Sequence, residues 1–473
     1  MRKAPPADPP PAASSPLARL PLPASSQLSD SSDPPRRPAP VDPRPLGPPS
    51  AGEPDAHPAR WRMLALLAAA ELLGMSLWFA ASAVAPQLSA RWGLSASQAA
   101  WLTTVVQLGF VAGTACAALL NLADIVASRL LFAVAAALGA LANGALLLAP
   151  SYGMALGCRF ATGFLLAGVY PPAMKMVATW FRSRRGLAIG TVVGALTVGK
   201  ATPYLVHAWR GAGVTGVVLT ASCGALAAAF LVLAGYRDGP YPFPPRPFSW
   251  GLAAEVVRIR RFRLATGGYL GHMFELYSFW TWIPAFLAAS AAARGGYSPA
   301  AVSLAAFGTI AVGGAGCIWG GLVADRTGRE RLVTIALAAS GTCALTIGLL
   351  FGVNLALVTL LAWVWGFFVI ADSAQFSALV TESVPPHAVG TALTVQTAVG
   401  FLLTTVSIQL VPPLASQIGW RWAFPVLALG PACGIASIRR LAALRRARGS
   451  ARPPRRPRRR GQSHSSRSTD GSA

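Results

Sequence analysis

Twelve runs of apolar residues, each about twenty long or longer, leave this chain few folds to choose from. They cover roughly 63–86, 97–120, 130–149, 153–179, 186–208, 212–235, 264–289, 300–323, 332–352, 355–380, 388–413 and 420–438. About twenty residues of α-helix cross the hydrocarbon of a bilayer. In lipid every backbone polar group needs an internal partner, which a helix supplies to itself. Only 12% of the 473 residues are charged and 54% are hydrophobic, and mean hydropathy is +0.51. Soluble domains carry about twice that share of charge. The expected fold class is an all-α membrane protein of twelve transmembrane helices.

The formal net charge of +24 invites a nucleic-acid reading, but the placement of the basic residues argues against one. Of the 40 Lys and Arg, eight fall in 1–62 and twelve in 439–473. That pattern suits cytoplasmic tails beside an anionic leaflet. With the N-terminus inside, the internal loops hold Arg129, Arg182, Arg184, Arg185, six Arg in 237–263, and then Arg326, Arg329 and Arg331. The external loops hold only Arg91, Arg210, Arg294 and Arg421. Positive-inside therefore places both termini in the cytoplasm, and the bacterial inner (plasma) membrane is the expected location.

Residues 1–60 are rich in Pro, Ala and Ser and are expected to be a disordered tail. No apolar stretch follows the early charges, so they do not read as a signal peptide. A start codon assigned too far upstream would give the same tail. The segment 237–263 is Pro-rich at first and then, from Trp250 to Arg263, basic and amphipathic. It reads as a linker lying on the inner surface between a half at 61–236 and a half at 264–440. Residues 441–473 are expected to be a basic, disordered tail.

The two halves repeat each other. Glu71-Leu72 and Trp78 recur as Glu275-Leu276 and Trp282, Arg91 as Arg294, and Cys116 and Asp124 as Cys317 and Asp325. Gly186 recurs as Gly390 and Trp209-Arg210 as Trp420-Arg421. One such match is cheap; an ordered series at nearly constant spacing is not.

Between the eighth and ninth runs lies Gly320-Gly321-Leu322-Val323-Ala324-Asp325-Arg326-Thr327-Gly328-Arg329-Glu330-Arg331. Its charges must sit outside the hydrocarbon. Gly321 and Gly328 allow close backbone approach and a tight turn. Asp325 suits a helix start, and Arg326 and Arg329 suit carboxylates or helix C-termini. The pattern Gly-x-x-x-Asp-Arg-x-Gly-Arg resembles the signature loop of the major facilitator superfamily, and the resemblance covers about 60–440. It implies two six-helix halves related by an axis normal to the membrane, with the solute site between them near the midplane. It also implies that the first and seventh spans line the cavity, and that the loop 321–329 controls conformational exchange. The first-half copy, Asn121 to Arg129, keeps Asp124 and a later Arg but lacks the glycines. Arg159-Phe160-Ala161-Thr162-Gly163 is similar to the Arg-x-x-x-Gly element of proton-linked members. Gly190, Gly194 and Gly199 match the drug/proton antiporter motif only loosely, because no Pro follows Gly194.

Ionisable groups inside a span are costly and so are candidates for function. Glu71 and Glu275 fall near mid-span in the first and seventh runs, and His272 lies three residues before Glu275 on the same helical face. Trp78 and Trp282, two turns further on, could stack on a planar or cationic solute. Otherwise the carboxylates pair with backbone or Arg, and the indoles sit in the outer aromatic belt. Arg159 and Lys200 could attract an anion or neutralise a carboxylate, or could snorkel to the outer interface. Asp372 and Gln375, at i and i+3 in the tenth run, are further cavity candidates. Lys175 reads mostly as an interfacial anchor and Glu382 as structural. Tyr170-Pro171-Pro172 and Pro203 should bend their helices.

The six Cys read as small buried hydrophobes, with no metal site and no disulfide framework. No phosphate-cradling loop, cofactor motif or nucleophile–base pair is visible, so ATP-driven transport and enzymatic activity are not expected. The leading expectation is a secondary active transporter, a permease moving a small solute by alternating access with proton coupling. A non-transporting sensor or scaffold of the same fold is the alternative. The expected partners are the solute, protons and the lipid bilayer, with no nucleic acid.

Overall fold

The computed structural model describes residues 57–450, apart from 183, 210, 211 and 242–248. The expected N-terminal tail up to residue 56, Arg210, the Pro-rich start of the linker, the side chain of Asp124 and the chain after residue 450 lie outside the described residues.

The described residues form twelve crossings. Span one consists of three helices, Arg60–Met75, Ala80–Ala83 and Ala85–Trp92. Spans two and three are Ala96–Leu119 and Ser128–Leu148. Span four breaks into Tyr152–Leu166 and Tyr170–Ala178, and spans five and six are Arg185–Ala208 and Gly213–Gly235. A linker helix, Trp250–Arg258, leads into span seven, an unbroken helix Arg260–Arg294. Span eight breaks into Pro299–Ala311 and Gly313–Thr327, and span nine covers Arg329–Leu350. Span ten breaks into Leu355–Ala371 and Ser373–Thr381, and span eleven is Val389–Ile418. Span twelve begins at Trp420 and ends in the helix Leu429–Ser450.

Ten of these segments are long and apolar enough to cross a membrane as they stand. Span one falls short because it is broken, and span seven because polar and charged residues are interspersed along it.

Local sequence sets the ends. Ser95 accepts from the Gln98 amide while the Gln98 side chain accepts from the Ser95 amide, closing a capping box at the start of span two. Ser151, Ser298 and Asn354 cap spans four, eight and ten in the same way with one bond each. Gly328 has φ +89°, a conformation an L side chain rarely adopts, and it makes the sharp turn between spans eight and nine.

Small residues set the packing, because helices in lipid associate through close backbone approach. A β-carbon at Gly109 would collide with the Phe160 carbonyl and one at Gly163 with the Val106 carbonyl, so spans two and four lie back to back. A β-carbon at Gly199 would strike the Leu72 carbonyl, which fixes span five against span one. In the second half, Gly316 and Gly320 bring span eight equally close to Phe367 and Ala371 of span ten.

Between the halves, spans five and eight nearly touch. A β-carbon at Gly194 would stand 2.9 Å from the Gly314 carbonyl, and one at Gly190 would stand 3.0 Å from the Cys317 carbonyl.

One boundary differs from the sequence reading. The expected tail from residue 441 begins as helix, because span twelve runs to Ser450. Leu441 is buried, and Arg445 donates to Glu330 and Glu382, so this turn is packed beneath the charged loop. Of the expected bends, Tyr170-Pro171-Pro172 opens the second helix of span four, where missing amide protons cost nothing. Pro203 sits inside span five without breaking it.

Candidate functional site

Two cavities lie where the halves meet. The larger, about 550 Å³, is a vestibule at the end of the bundle opposite the 325–331 loop. Its lining, mainly Ala, Pro, Ser and aromatic residues, includes His207 and Trp282 but no Asp, Glu, Lys or Arg. The smaller, about 70 Å³, is a chamber deeper in the bundle, walled by spans one, two, four and five on one side and seven, ten and eleven on the other. One charged side chain, that of Lys200, lines the smaller cavity.

Lys200 is its centre. Span five carries this side chain to the chamber wall, where it is almost fully buried. Its Nζ donates to the Tyr277 hydroxyl at 2.7 Å. It also stands 4.0 Å from the ring centre of Trp78, 4.7 Å from that of Tyr277 and 4.9 Å from that of Trp280. Such a desolvated cation over an aromatic face is worth about 2 kcal/mol. Trp78 comes from the first half and Tyr277 and Trp280 from the second, so the ammonium ties the halves together.

Glu71 lies on span one, one turn before the break that presents Trp78. It is completely buried, and neither carboxylate oxygen has a hydrogen-bond partner. Lys200 is the opposing charge that acts on it.

Its sequence counterpart, Glu275, is placed differently. Its Oε2 accepts from Ser340 at 2.7 Å and its Oε1 from the Trp365 indole at 2.8 Å. Those partners come from spans nine and ten, so this carboxylate is committed within the second half. One turn earlier, His272 Nδ1 stands 2.9 Å from Asp372 Oδ1, both side chains buried. The distance is that of an ion pair, but neither atom meets hydrogen-bond geometry, so the contact is electrostatic rather than directed. Asp372 occupies the break in span ten.

Arg159 neither snorkels nor meets a carboxylate. It is fully buried, and its guanidinium donates to the carbonyls of Leu77 and Trp78 and, at 3.1 Å, to Asn143 Oδ1. A fourth, longer bond of 3.4 Å reaches the Leu102 carbonyl. Leu77 and Trp78 form the break in span one, where helix bonding lapses, and Arg159 caps that break from the side. Asn143 in turn donates to Ser222 at 3.0 Å.

The remaining candidates are dispersed. Trp282 donates its indole N–H to the Ile408 carbonyl at 2.8 Å and lines the vestibule rather than the chamber. Gln375 accepts from Arg329 at 2.9 Å and so belongs to the loop. Arg329 also pairs with Glu382 at 2.9 Å, and Arg445 bridges Glu330 at 2.7 Å and Glu382 at 2.9 Å.

Asp325 ends span eight beside the start of span five, where a β-carbon at Gly186 would stand 3.6 Å from its Oδ2. A carboxylate there faces the positive end of the span-five dipole. Gly321 makes room for this approach, since a β-carbon would stand 3.2 Å from the Gly186 carbonyl. Arg326 is exposed.

Several residues that shape the site escape a sequence reading. Tyr277 and Trp280 are hidden in the aromatic run Tyr277–Trp282. Asn143 is a lone polar residue in the apolar body of span three, the signal that could have found it, whereas Gln396 is one of several polar residues along span eleven.

The family profile described as Major Facilitator Superfamily matches residues 66–408. No curated protein matches the chain. Among solved structures, the chain is similar to a bacterial homolog of the human lysosomal transporter Spinster in its inward-facing, unoccupied conformation. That match has a TM-score of 0.59 and 16% identity, and covers 82% of this chain and 96% of that one. The occupied, inward-facing form matches with a TM-score of 0.60 and 16% identity, covering 82% of this chain and 98% of that one. At this identity the likeness is one of fold.

Proposed function

The chain belongs to the major facilitator superfamily, and from that premise we propose that it accumulates a small organic solute against its gradient by coupling to protons, with Glu71 as the proton carrier. Secondary transport follows from the family. The coupling, the site and the orientation are this reading's own.

The observation that carries it is the contrast between the two matched carboxylates. Glu71 can gain or lose a proton without breaking a hydrogen bond, because it makes none. Glu275 would have to give up Ser340 or Trp365. An unpaired ionised carboxylate in mid-span costs roughly 2.5–3.5 kcal/mol on insertion scales, and structure alone gives no reason to keep one. Lys200, attracted by Glu71 and held by Tyr277 of the other half, connects the charge on Glu71 to the contact between halves.

The first half is 61–236 and the second runs from span seven, at Arg260, to the end of span twelve at Ser450, with the linker between them and with the 325–331 loop and both termini on the cytoplasmic side of a bacterial inner membrane. The basic loops support that orientation. In it, the vestibule opens outward, and the contacts of Gly190 and Gly194 with span eight close the inner side.

The test uses the full chain in proteoliposomes with an imposed pH gradient. The solutes are organic acids, cyanate- and nitrate-like anions, sugars and amphipathic drugs. Glu71→Gln should abolish gradient-driven accumulation while keeping exchange of internal for external solute. Accumulation by Glu71→Gln equal to that of the parent from pH 5.5 to 8 would end this reading.

A further inference from the structure

The chamber also carries information about the chemical class of the solute. This step rests on the transport reading above, but binding can be measured without transport or a gradient.

Lys200 is the one Asp, Glu, Lys or Arg among the residues lining the chamber. Three further polar atoms of its lining residues are buried without a partner: the indole nitrogens of Trp78 and Trp280 and the amide nitrogen of Gln396. All are N–H donors. No oxygen of a lining residue is left buried and unpartnered among the described residues. Gln396 can present either end of its amide by rotation, so the two indoles and the ammonium carry the weight.

Buried donors without acceptors are costly, and a native structure that keeps several around one cavity calls for an explanation. A ligand bearing acceptors and a negative charge satisfies them all. The same rings could attract an organic cation by their faces, but Lys200 already occupies that position, and a second cation would be repelled by it.

Size narrows the class further. About 70 Å³ is half of the roughly 150 Å³ that admits a benzene ring. An aromatic acid is therefore too large for the chamber as it stands, and the smallest carboxylates, of two or three carbons, come nearest to fitting it.

We propose that the chamber binds a compact organic monocarboxylate, its charge held by Lys200 and its oxygens by the indole N–H groups of Trp78 and Trp280. The carbon end faces the rings of Phe110 and Phe401, which pack at 4.6 Å between centres. Binding draws Lys200 away from the three ring faces, which loosens its tie between the halves.

The test is saturation-transfer NMR on the full chain in detergent with three isosteres, propionate, propionamide and propylammonium, together with acetate and pyruvate. Propionate should bind at least tenfold more tightly than propionamide, and propylammonium should give no transfer. Lys200→Met should weaken propionate at least tenfold, and Lys200→Arg should restore part of the loss. Trp280→Phe, which keeps the ring but removes the N–H, should weaken propionate about fivefold and leave propionamide less affected. If Lys200→Met does not fold, the isostere ranking and Trp280→Phe still decide. Tighter binding of propylammonium than of propionate would overturn the proposal. So would propionate affinity within twofold of the parent in Lys200→Met, or no transfer to any of the three carboxylates. Failure of Glu71→Gln to uncouple transport would leave this ranking intact, so the two readings fail separately.

Discussion

Replacing Arg159 by Met tests whether a buried guanidinium serves structure or transport. The side chain is wholly buried and makes three close bonds, to the carbonyls of Leu77 and Trp78 and to Asn143. Met fills much of the volume but donates nothing. Each buried acceptor left without its partner costs about 1–3 kcal/mol. The Leu77 carbonyl keeps a long bond from the Ala80 amide, so its loss is the smallest, whereas Asn143 Oδ1 loses its donor outright because the bonds to Val218 and Ser222 come from Nδ2. The sum is about 3–6 kcal/mol, a large part of the 5–15 kcal/mol that holds a typical domain folded. At roughly 2 °C per kcal/mol, the low end for larger domains, the melting temperature should fall by about 6–12 °C. Arg159→Lys keeps the charge but not the fork of donors, and should lose about half as much. Thermal unfolding in detergent, followed by thiol-reactive dye at the buried Cys317 and Cys343, gives the number. A melting temperature within 2 °C of the parent in Arg159→Met, together with lost solute binding, would refute the capping role and return Arg159 to the solute pathway.

Three other outcomes are expected. Asp325→Asn removes the charge facing the start of span five and should slow transport several-fold with KM within twofold; lost binding at an unchanged rate of conformational exchange would contradict this. Gly199→Ala and Gly163→Ala each force a β-carbon into a carbonyl and should destabilise by about 1–3 kcal/mol, whereas Gly157→Ala, with open space around it, should not; equal melting of all three would show that the spans can separate at no cost. Reporter fusions after Arg185, Phe262 and Arg440 should report cytoplasm and those after Ala90, Ala293 and Gly419 the outside, and reversal at any two sites would overturn the topology.

What the sequence makes legible is what one-dimensional physics controls. Apolar length determines the spans, and their starts and ends fall within a few residues of the helices at most positions, because lipid tolerates no other backbone arrangement. The loop around Asp325 is legible because charge cannot enter the hydrocarbon. The site is legible only in part. Glu71 and Glu275 look equivalent in sequence, but their partners come from other spans, and no spacing foretells that Ser340 and Trp365 serve one while the other has none. Trp78 and Trp282 diverge because span one breaks after Met75 while span seven continues. The break turns Trp78 toward Lys200, and its counterpart stays in the vestibule wall. Gln375, three residues past the interruption at Asp372, is carried to Arg329 rather than to the chamber.

Span seven is a single helix of 35 residues, about 50 Å at 1.5 Å per residue, longer than the roughly 40–45 Å of a whole bilayer with its headgroups. It is continuous, with Pro284 inside it, and has one end among the vestibule residues near Ala291 and the other joined to the linker helix at Ile259. Span one is cut into three, and at its first cut the Leu77 and Trp78 carbonyls are bonded by Arg159 from the side. A rotation started at one face of the membrane should therefore be carried further along span seven than along span one. Strain gauges placed on the two, such as paired spin labels along each span, should record a change of tilt in span seven and a change of bend in span one.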